Sequence, residues 1–202
     1  MSDDNRPLII ACGALVSELR EVLNINGLNE AVEVRYLPAN LHNRPEGIVP
    51  ALREHLDGRG KRPTMVGYAD CGTGGALDRM LESYPDVQRL PGAHCYEFYA
   101  SSAVFHALSD AEPGTFYLTD FLAKHFDRLV VTDLKLDKHP ELEPQLFGHY
   151  RKVVYLAQVH DDTLRASAAR AAERLGLPLE IIETGYGQLA SSLQEQVVRM
   201  IP

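Results

Sequence analysis

The sequence predicts an α/β protein with a mainly parallel sheet and helices on both faces, three layers in all. Two observations carry this. Short apolar runs alternate with stretches whose apolar residues recur at helical spacing, the pattern of right-handed βαβ units. The 202 residues, 45% hydrophobic and 24% charged, suffice for one ordinary domain, 1–202, with room for two similar lobes of about 8–90 and 110–202.

Leu8-Ile9-Ile10-Ala11 reads as a buried strand, Cys12-Gly13 as a turn, and Leu15, Leu19, Val22 and Leu23 as the apolar face of a helix that stops at Gly27. Val32 to Leu37 is a second strand, followed by a loop from Pro38 to Pro45 and a helix carrying Ile48, Leu52 and Leu56. Thr64 to Tyr68 is the third strand, and it empties into Asp70-Cys71-Gly72-Thr73-Gly74-Gly75 before a helix with Leu77, Met80 and Leu81. Pro85 to Gly92 breaks the alternation. Cys95 to Leu108 then has helical spacing, Thr115 to Thr119 is a strand, and Asp120 opens a helix with Leu122, Phe126, Leu129, Val130 and Leu134 on one face. A shorter helix covers Glu141 to Tyr150. Lys152 to Ala157 is a strand, Asp161 to Leu175 an Ala-rich helix closed by Gly176, Leu179 to Glu183 the last strand and Gln188 to Met200 the last helix. Val66-Gly67-Tyr68-Ala69 is weakly echoed by Glu183-Thr184-Gly185-Tyr186-Gly187, too briefly to establish a repeat.

The formal net charge of -8, without clustered Lys and Arg, argues against nucleic acid and anionic membranes as partners. The first residues are acidic and polar, unlike a secretory signal, and no apolar run approaches the ~18 residues of a membrane helix. Three cysteines without Cys-x-x-Cys make no disulfide framework, so a reducing cytoplasm is expected.

In open parallel sheets ligands bind beyond the carboxyl ends of the strands, and this chain places Cys12-Gly13, Asp70 to Gly75 and Thr184 to Gly187 there. Cys12, Cys71 and Cys95 each lie in or beside a glycine-containing loop, and the first and third strands are neighbours in many such sheets. The three thiols are therefore candidate ligands of one metal ion, with His42 and His94 as nitrogen donors. Zinc with an open fourth position fits widely spaced ligands; a [4Fe–4S] cluster using the same three thiolates is the alternative. Gly13, Gly72, Thr73, Gly74, Gly75, Gly185, Tyr186 and Gly187 are candidates for holding the anionic end of a small substrate through backbone N–H groups. Glu97 and Asp70 are candidate catalytic carboxylates. Each has a structural explanation too: free cysteine is often simply buried, Glu97 suits the first turn of a helix, and the glycine loop serves as a strand-to-helix turn. The loop lacks the spacing of a dinucleotide fingerprint and the Gly-Lys-Ser/Thr ending of a phosphate loop. A metal-free enzyme with Cys71 as nucleophile, activated by His94 or His42, and a non-catalytic cofactor-binding or assembly module are the competing functions.

Together, Ile10 to Leu15, Leu41-His42, Gly67 to Gly75, Leu90 to Glu97 and Leu118 to Leu122 resemble a bacterial and archaeal family known as a domain of unknown function. The resemblance covers nearly the whole chain. Members of that family are often encoded beside corrinoid-dependent methyltransferases, corrinoid proteins and folate enzymes. The resemblance thus implies a role in one-carbon metabolism, with a corrinoid protein or methyltransferase as partner, and carries no catalytic assignment.

Overall fold

The apolar runs form parallel strands, but in two sheets rather than one. The structure, a computed structural model, describes residues 6–187 together with Glu195, Val197, Arg199 and Met200. The chain forms two compact units that meet in sequence between Cys95 and Tyr96, and the described residues at the carboxyl end group with the first. The expected final helix, Gln188 to Met200, lies largely outside the described residues; the four described there are helical. Arg199 and Met200 border a cleft with Thr64, Met65 and Gln88, so they belong with the first sheet rather than closing a second lobe at 202.

In the first unit β1 (Leu8–Cys12) lies between β2 (Glu33–Leu37) and β3 (Thr64–Gly67), and β4 (Gln88–Arg89) pairs with the outer edge of β3. All these pairings are parallel, with Cys12 opposite Leu37 and Ala11 opposite both Tyr36 and Gly67. Strand β1 is buried throughout, as an unbroken apolar run in the middle of a parallel sheet should be. The helices α1 (Val16–Ile25) and α2 (Ile48–Asp57) bury Leu19, Val22 and Leu23, and Ile48, Leu52 and Leu56. Each such side chain contributes roughly 1.5–3 kcal/mol by leaving water. The short α3 (Ala76–Leu81) follows the glycine loop. Because β2 and β3 flank β1 on opposite sides, the direction of winding reverses at β1 and β3. That reversal opens a crevice at their carboxyl ends. The two-residue β4 was not expected. Pro85 and Pro91 confine it, and Gln88-Arg89 has no apolar run to announce it.

The second unit carries β5 (Thr115–Thr119), β6 (Lys152–Ala157) and β7 (Leu179–Glu183) in that order, all parallel. Its helices are α4 (Tyr96–Ala100), α5 (Ser102–Ala111), α6 (Asp120–Lys124), α7 (Glu143–Phe147) and α8 (Asp162–Leu175). Leu118, Leu122, Phe126, Val153, Tyr155, Ala168 and Ala172 belong to one core cluster. The helix expected from Cys95 to Leu108 is broken at Ser101, whose φ of 67° and ψ of 149° no helix accommodates; its hydroxyl accepts from Val104 N–H to start α5. The long helix expected from Asp120 ends at Lys124 and passes into a wide π-type turn, Asp127–Thr132. Among the described residues no helix is long and apolar enough to cross a membrane.

Candidate functional site

Cys12 closes β1 and is buried, and its sulfur accepts a hydrogen bond from the Ala14 amide at 3.4 Å as the chain turns into α1. Gly13 packs on the Leu37 carbonyl, where a Cβ would stand 2.7 Å away. On the neighbouring strand Gly67 lets the backbones approach, since a Cβ there would meet Ala11 Cβ at 2.7 Å. Beyond β3 the chain does not scatter. The Asp70 amide donates to the Gly92 carbonyl at 3.1 Å and the Cys71 amide to the Ala93 carbonyl at 2.8 Å, which draws the segment leading to Cys95 alongside Cys71. Cys71 takes a left-handed backbone conformation, φ 49°, a strained setting for a residue with a Cβ.

The consequence is a cluster of thiols at the carboxyl ends of β1 and β3. Cys95 donates a hydrogen bond to Cys71, and this bond, against burial and with help from the Cys95 and Ala69 amides, holds the Cys71 thiol below its ordinary pKa. The same bond, then burial and the neighbouring Cys71 and Cys12, drives Cys95 well up. Cys71 is thus the more readily ionised thiol of the pair and Cys95 the donor. Burial pushes the Cys12 thiol up to about 11, opposed by the Ala14 amide and reinforced by Cys71 and Glu18. Tyr68, 2% exposed, faces the same three sulfurs; its hydroxyl points toward Cys12 without a hydrogen bond of ordinary geometry, and burial followed by the thiols raises its pKa. Burial and exposure grade across the cluster: Tyr68 and Cys12 are buried, Cys71 and Cys95 half-buried, and His42 and His94 exposed. Loss of water around the ring, then the neighbouring His94, holds His42 below the usual imidazole value. Among the described residues no three His, Cys, Asp or Glu side chains already form a ready-made ligand set.

The glycine loop holds an anion, but its own. Asp70 Oδ1 accepts from Thr73 Oγ1 at 2.6 Å and from the Gly75 amide at 2.8 Å, and Oδ2 accepts from the Gly74 amide at 3.1 Å. Burial opposes these bonds, yet with Arg89 they keep the Asp70 carboxyl below its usual range. Two N–H groups proposed for a substrate are therefore occupied, and Asp70 organises the loop rather than standing ready to move protons. Glu97 falls in the second unit, buried, where it accepts from Ser102 Oγ at 3.3 Å and lies 3.9 Å from His106 Nε2. Gly185, Tyr186 and Gly187 also lie in that unit, beyond β7, where the Thr184 and Gly185 amides donate to the Ala157 carbonyl. The strand ends that the sequence assigns to one edge thus belong to two sheets. Open clefts also run along helices, one of about 440 Å³ bordered by Lys124, Ser167 and Arg170 and one of about 630 Å³ along the outer face of α1 at Arg20 and Asn24.

A family profile described as "Protein of unknown function (DUF1638)" matches residues 36–193. The chain belongs to this family. In this DUF1638 protein the matched span contains His42, Cys71, His94 and Cys95, while Cys12 precedes it. No curated protein and no solved structure matches the chain. Two buried residues whose electrostatics act on the thiols escaped sequence reasoning. Tyr68 reads as one more apolar strand residue, since the direction of its hydroxyl is set by the fold. Glu18 did leave a signal: it lies between Leu15 and Val22 on the apolar face of α1, where a carboxylate is out of place.

Proposed function

We propose that this DUF1638 protein is a metal-thiolate protein in which Cys12, Cys71 and Cys95 hold one ion, zinc in the first instance. The observation that supports this most is that three thiols far apart in sequence act on one another at the carboxyl ends of two neighbouring strands. Cys71 raises the cost of ionising Cys12 and Cys95, and Cys12 that of Cys95; a cation would reverse that repulsion, because thiolates become ligands and their protons leave. Metal binding would replace the Cys71–Cys95 hydrogen bond with metal–sulfur bonds. The half-buried side of Cys71 and Cys95, next to His94, is where a small substrate would approach. Bound zinc would supply a Lewis acid that favours the thiolate form of an incoming thiol. Methyl transfer in one-carbon metabolism, beside a corrinoid protein or methyltransferase in a reducing cytoplasm, is the setting the family resemblance implies. A [4Fe–4S] cluster on the same thiolates is the alternative cofactor.

Elemental analysis and an absorption spectrum of protein purified without oxygen test this. One zinc per chain without colour supports the reading, and iron with a broad visible band selects the cluster. Protein free of both metals would overturn it. The lowered pKa of Cys71 favours one second reading, a metal-free enzyme with Cys71 as nucleophile. Selective alkylation of Cys71 in metal-free protein as purified, with loss of turnover, would select that reading.

A further inference from the structure

Cys71 and Cys95 lie far apart in the chain, yet the backbone carrying each is pinned and the two segments are joined. On one side the Asp70 carboxylate ties up its own loop through Thr73, Gly74 and Gly75, which fixes the turn that carries Cys71. On the other, Arg89 is anchored to Asp78 by two bonds, of 2.6 and 2.8 Å, and donates to the Leu90 carbonyl at 2.6 Å and the Gly92 carbonyl at 3.3 Å. The Asp70 and Cys71 amides then bridge the segments, donating to the Gly92 and Ala93 carbonyls at 3.1 and 2.8 Å. The side chains complete the contact, since the Cys71 sulfur accepts hydrogen bonds from the Cys95 thiol and the Cys95 amide. Both residues are half-buried and within reach of a small reagent, whereas Cys12 is buried and its sulfur accepts from the Ala14 amide.

We infer that Cys71 and Cys95 are an oxidisable pair, a disulfide-forming site for hydroperoxides that leaves Cys12 as a free thiol. Two thiols in hydrogen-bond contact need only side-chain rotation to reach the ~2.05 Å of a sulfur–sulfur bond. The direction of the bond between them sets the order of events. The Cys71 sulfur, the acceptor, attacks an oxygen of the hydroperoxide; the O–O bond breaks, an alcohol leaves with the Cys71 proton, or water where hydrogen peroxide is the oxidant, and Cys71 becomes a sulfenic acid. The Cys95 sulfur then attacks the Cys71 sulfur, the S–O bond breaks, and the hydroxide departs as water with the Cys95 proton. Two thiols have lost two electrons and two protons, and the hydroperoxide has taken both. Such pairs in a reducing compartment are transient and sense oxidants rather than brace the fold. The pair needs no ion and so does not rest on the metal-thiolate reading. Oxidation would remove two of the sulfurs that reading assigns to the metal, so disulfide and metal exclude each other.

Reduced protein stripped of metal by a chelator, treated with hydrogen peroxide, then alkylated and digested for mass spectrometry, tests it. Wild type should lose two hydrogen atoms, yield peptides joined through Cys71 and Cys95, leave Cys12 alkylated, and return to three alkylated cysteines after dithiothreitol. Cys12→Ala should form the same bond. Cys95→Ala should stop at a Cys71 sulfenic acid that dimedone traps, and Cys71→Ala should form no disulfide within the chain. Wild type that keeps three free thiols, links Cys12 instead, joins two chains, or carries Cys71 on to sulfinic acid overturns the pair, whether or not the variants fold. Zinc binding by the reduced protein is read separately. A disulfide without zinc affinity supports the pair and sinks only the metal reading; zinc affinity without a disulfide overturns the pair and leaves the metal reading standing.

Discussion

At the carboxyl ends of β5 and β6 a buried carboxylate is fully satisfied, whereas at the carboxyl ends of β1 and β3 three thiols and a buried tyrosine act on one another. Asp120 accepts from the Tyr155 hydroxyl at 2.6 Å, the Gln158 amide at 3.1 Å and the Val159 amide at 3.0 Å, and its own amide donates to Gln158 Oε1 at 2.7 Å. Burial still lifts the Asp120 carboxyl above its usual pKa, against those bonds, but nothing in the network asks for a further ligand. In the first unit burial and Cys71 raise the Cys12 thiol, the bond to Cys71 and burial raise Cys95, burial and the thiols raise Tyr68, and the Tyr68 hydroxyl lacks a well-formed bond. Parallel sheets deliver polar groups to the same edge in both units. Closure of the hydrogen bonds, rather than the presence of polar residues, separates a structural cluster from a candidate site.

The comparison breaks most visibly by substitution. Changing any one of Cys12, Cys71 or Cys95 to Ala should weaken zinc binding by more than the about 10–100-fold that loss of a supporting group costs. Competition against a chromophoric chelator measures this, and metal-free stability should move by less than about 2 kcal/mol. Asp120→Ala should behave in reverse: two buried donors and a part-buried one lose their acceptor, urea unfolding should show a loss of about 3 kcal/mol, and zinc affinity should stay at wild type. Should Asp120→Ala also release zinc, the two clusters are not independent.

Smaller effects sharpen the contrast. Tyr68→Phe removes a buried hydroxyl that the protein alone does not satisfy, so the metal-free variant should melt no lower than wild type, while zinc affinity falls about tenfold if the hydroxyl supports a bound thiolate. Equal affinity in both proteins would confine Tyr68 to packing. The Asp70 contribution is smallest, within about 1 kcal/mol, and carries a pH signature. Its folded pKa lies below the ordinary carboxyl value of about 3.9, so its stabilisation is complete above that value and fades as pH falls through the depressed one. Urea unfolding of wild type and Asp70→Asn should therefore differ near neutrality and converge in acid; a gap that widens in acid would contradict the hydrogen bonds drawn to Asp70.

Much of this fold was legible because burial of parallel strands leaves unbroken apolar runs, as in Leu8 to Ala11 and Lys152 to Ala157. The break at Ser101 and the wide turn at Asp127–Thr132 were not, since both residue strings keep helical spacing while the backbone departs from it. Of the site, the adjacency of β1 and β3 followed from the βαβ order. The bonds from Asp70 and Cys71 to Gly92 and Ala93 that bring in Cys95 are tertiary and leave no periodic trace. The loop bonds of Asp70 were hidden for a related reason: Asp-x-x-Thr looks the same whether the carboxylate awaits a substrate or caps its own loop.

X-ray absorption at the zinc edge of anaerobically purified protein tests the central claim most directly. Three sulfur scatterers at about 2.3 Å with one oxygen or nitrogen neighbour are predicted, falling to two sulfurs in any Cys→Ala variant that still binds zinc. A shell of oxygen and nitrogen alone, or a wild-type spectrum unchanged by loss of Cys12, Cys71 or Cys95, would contradict it.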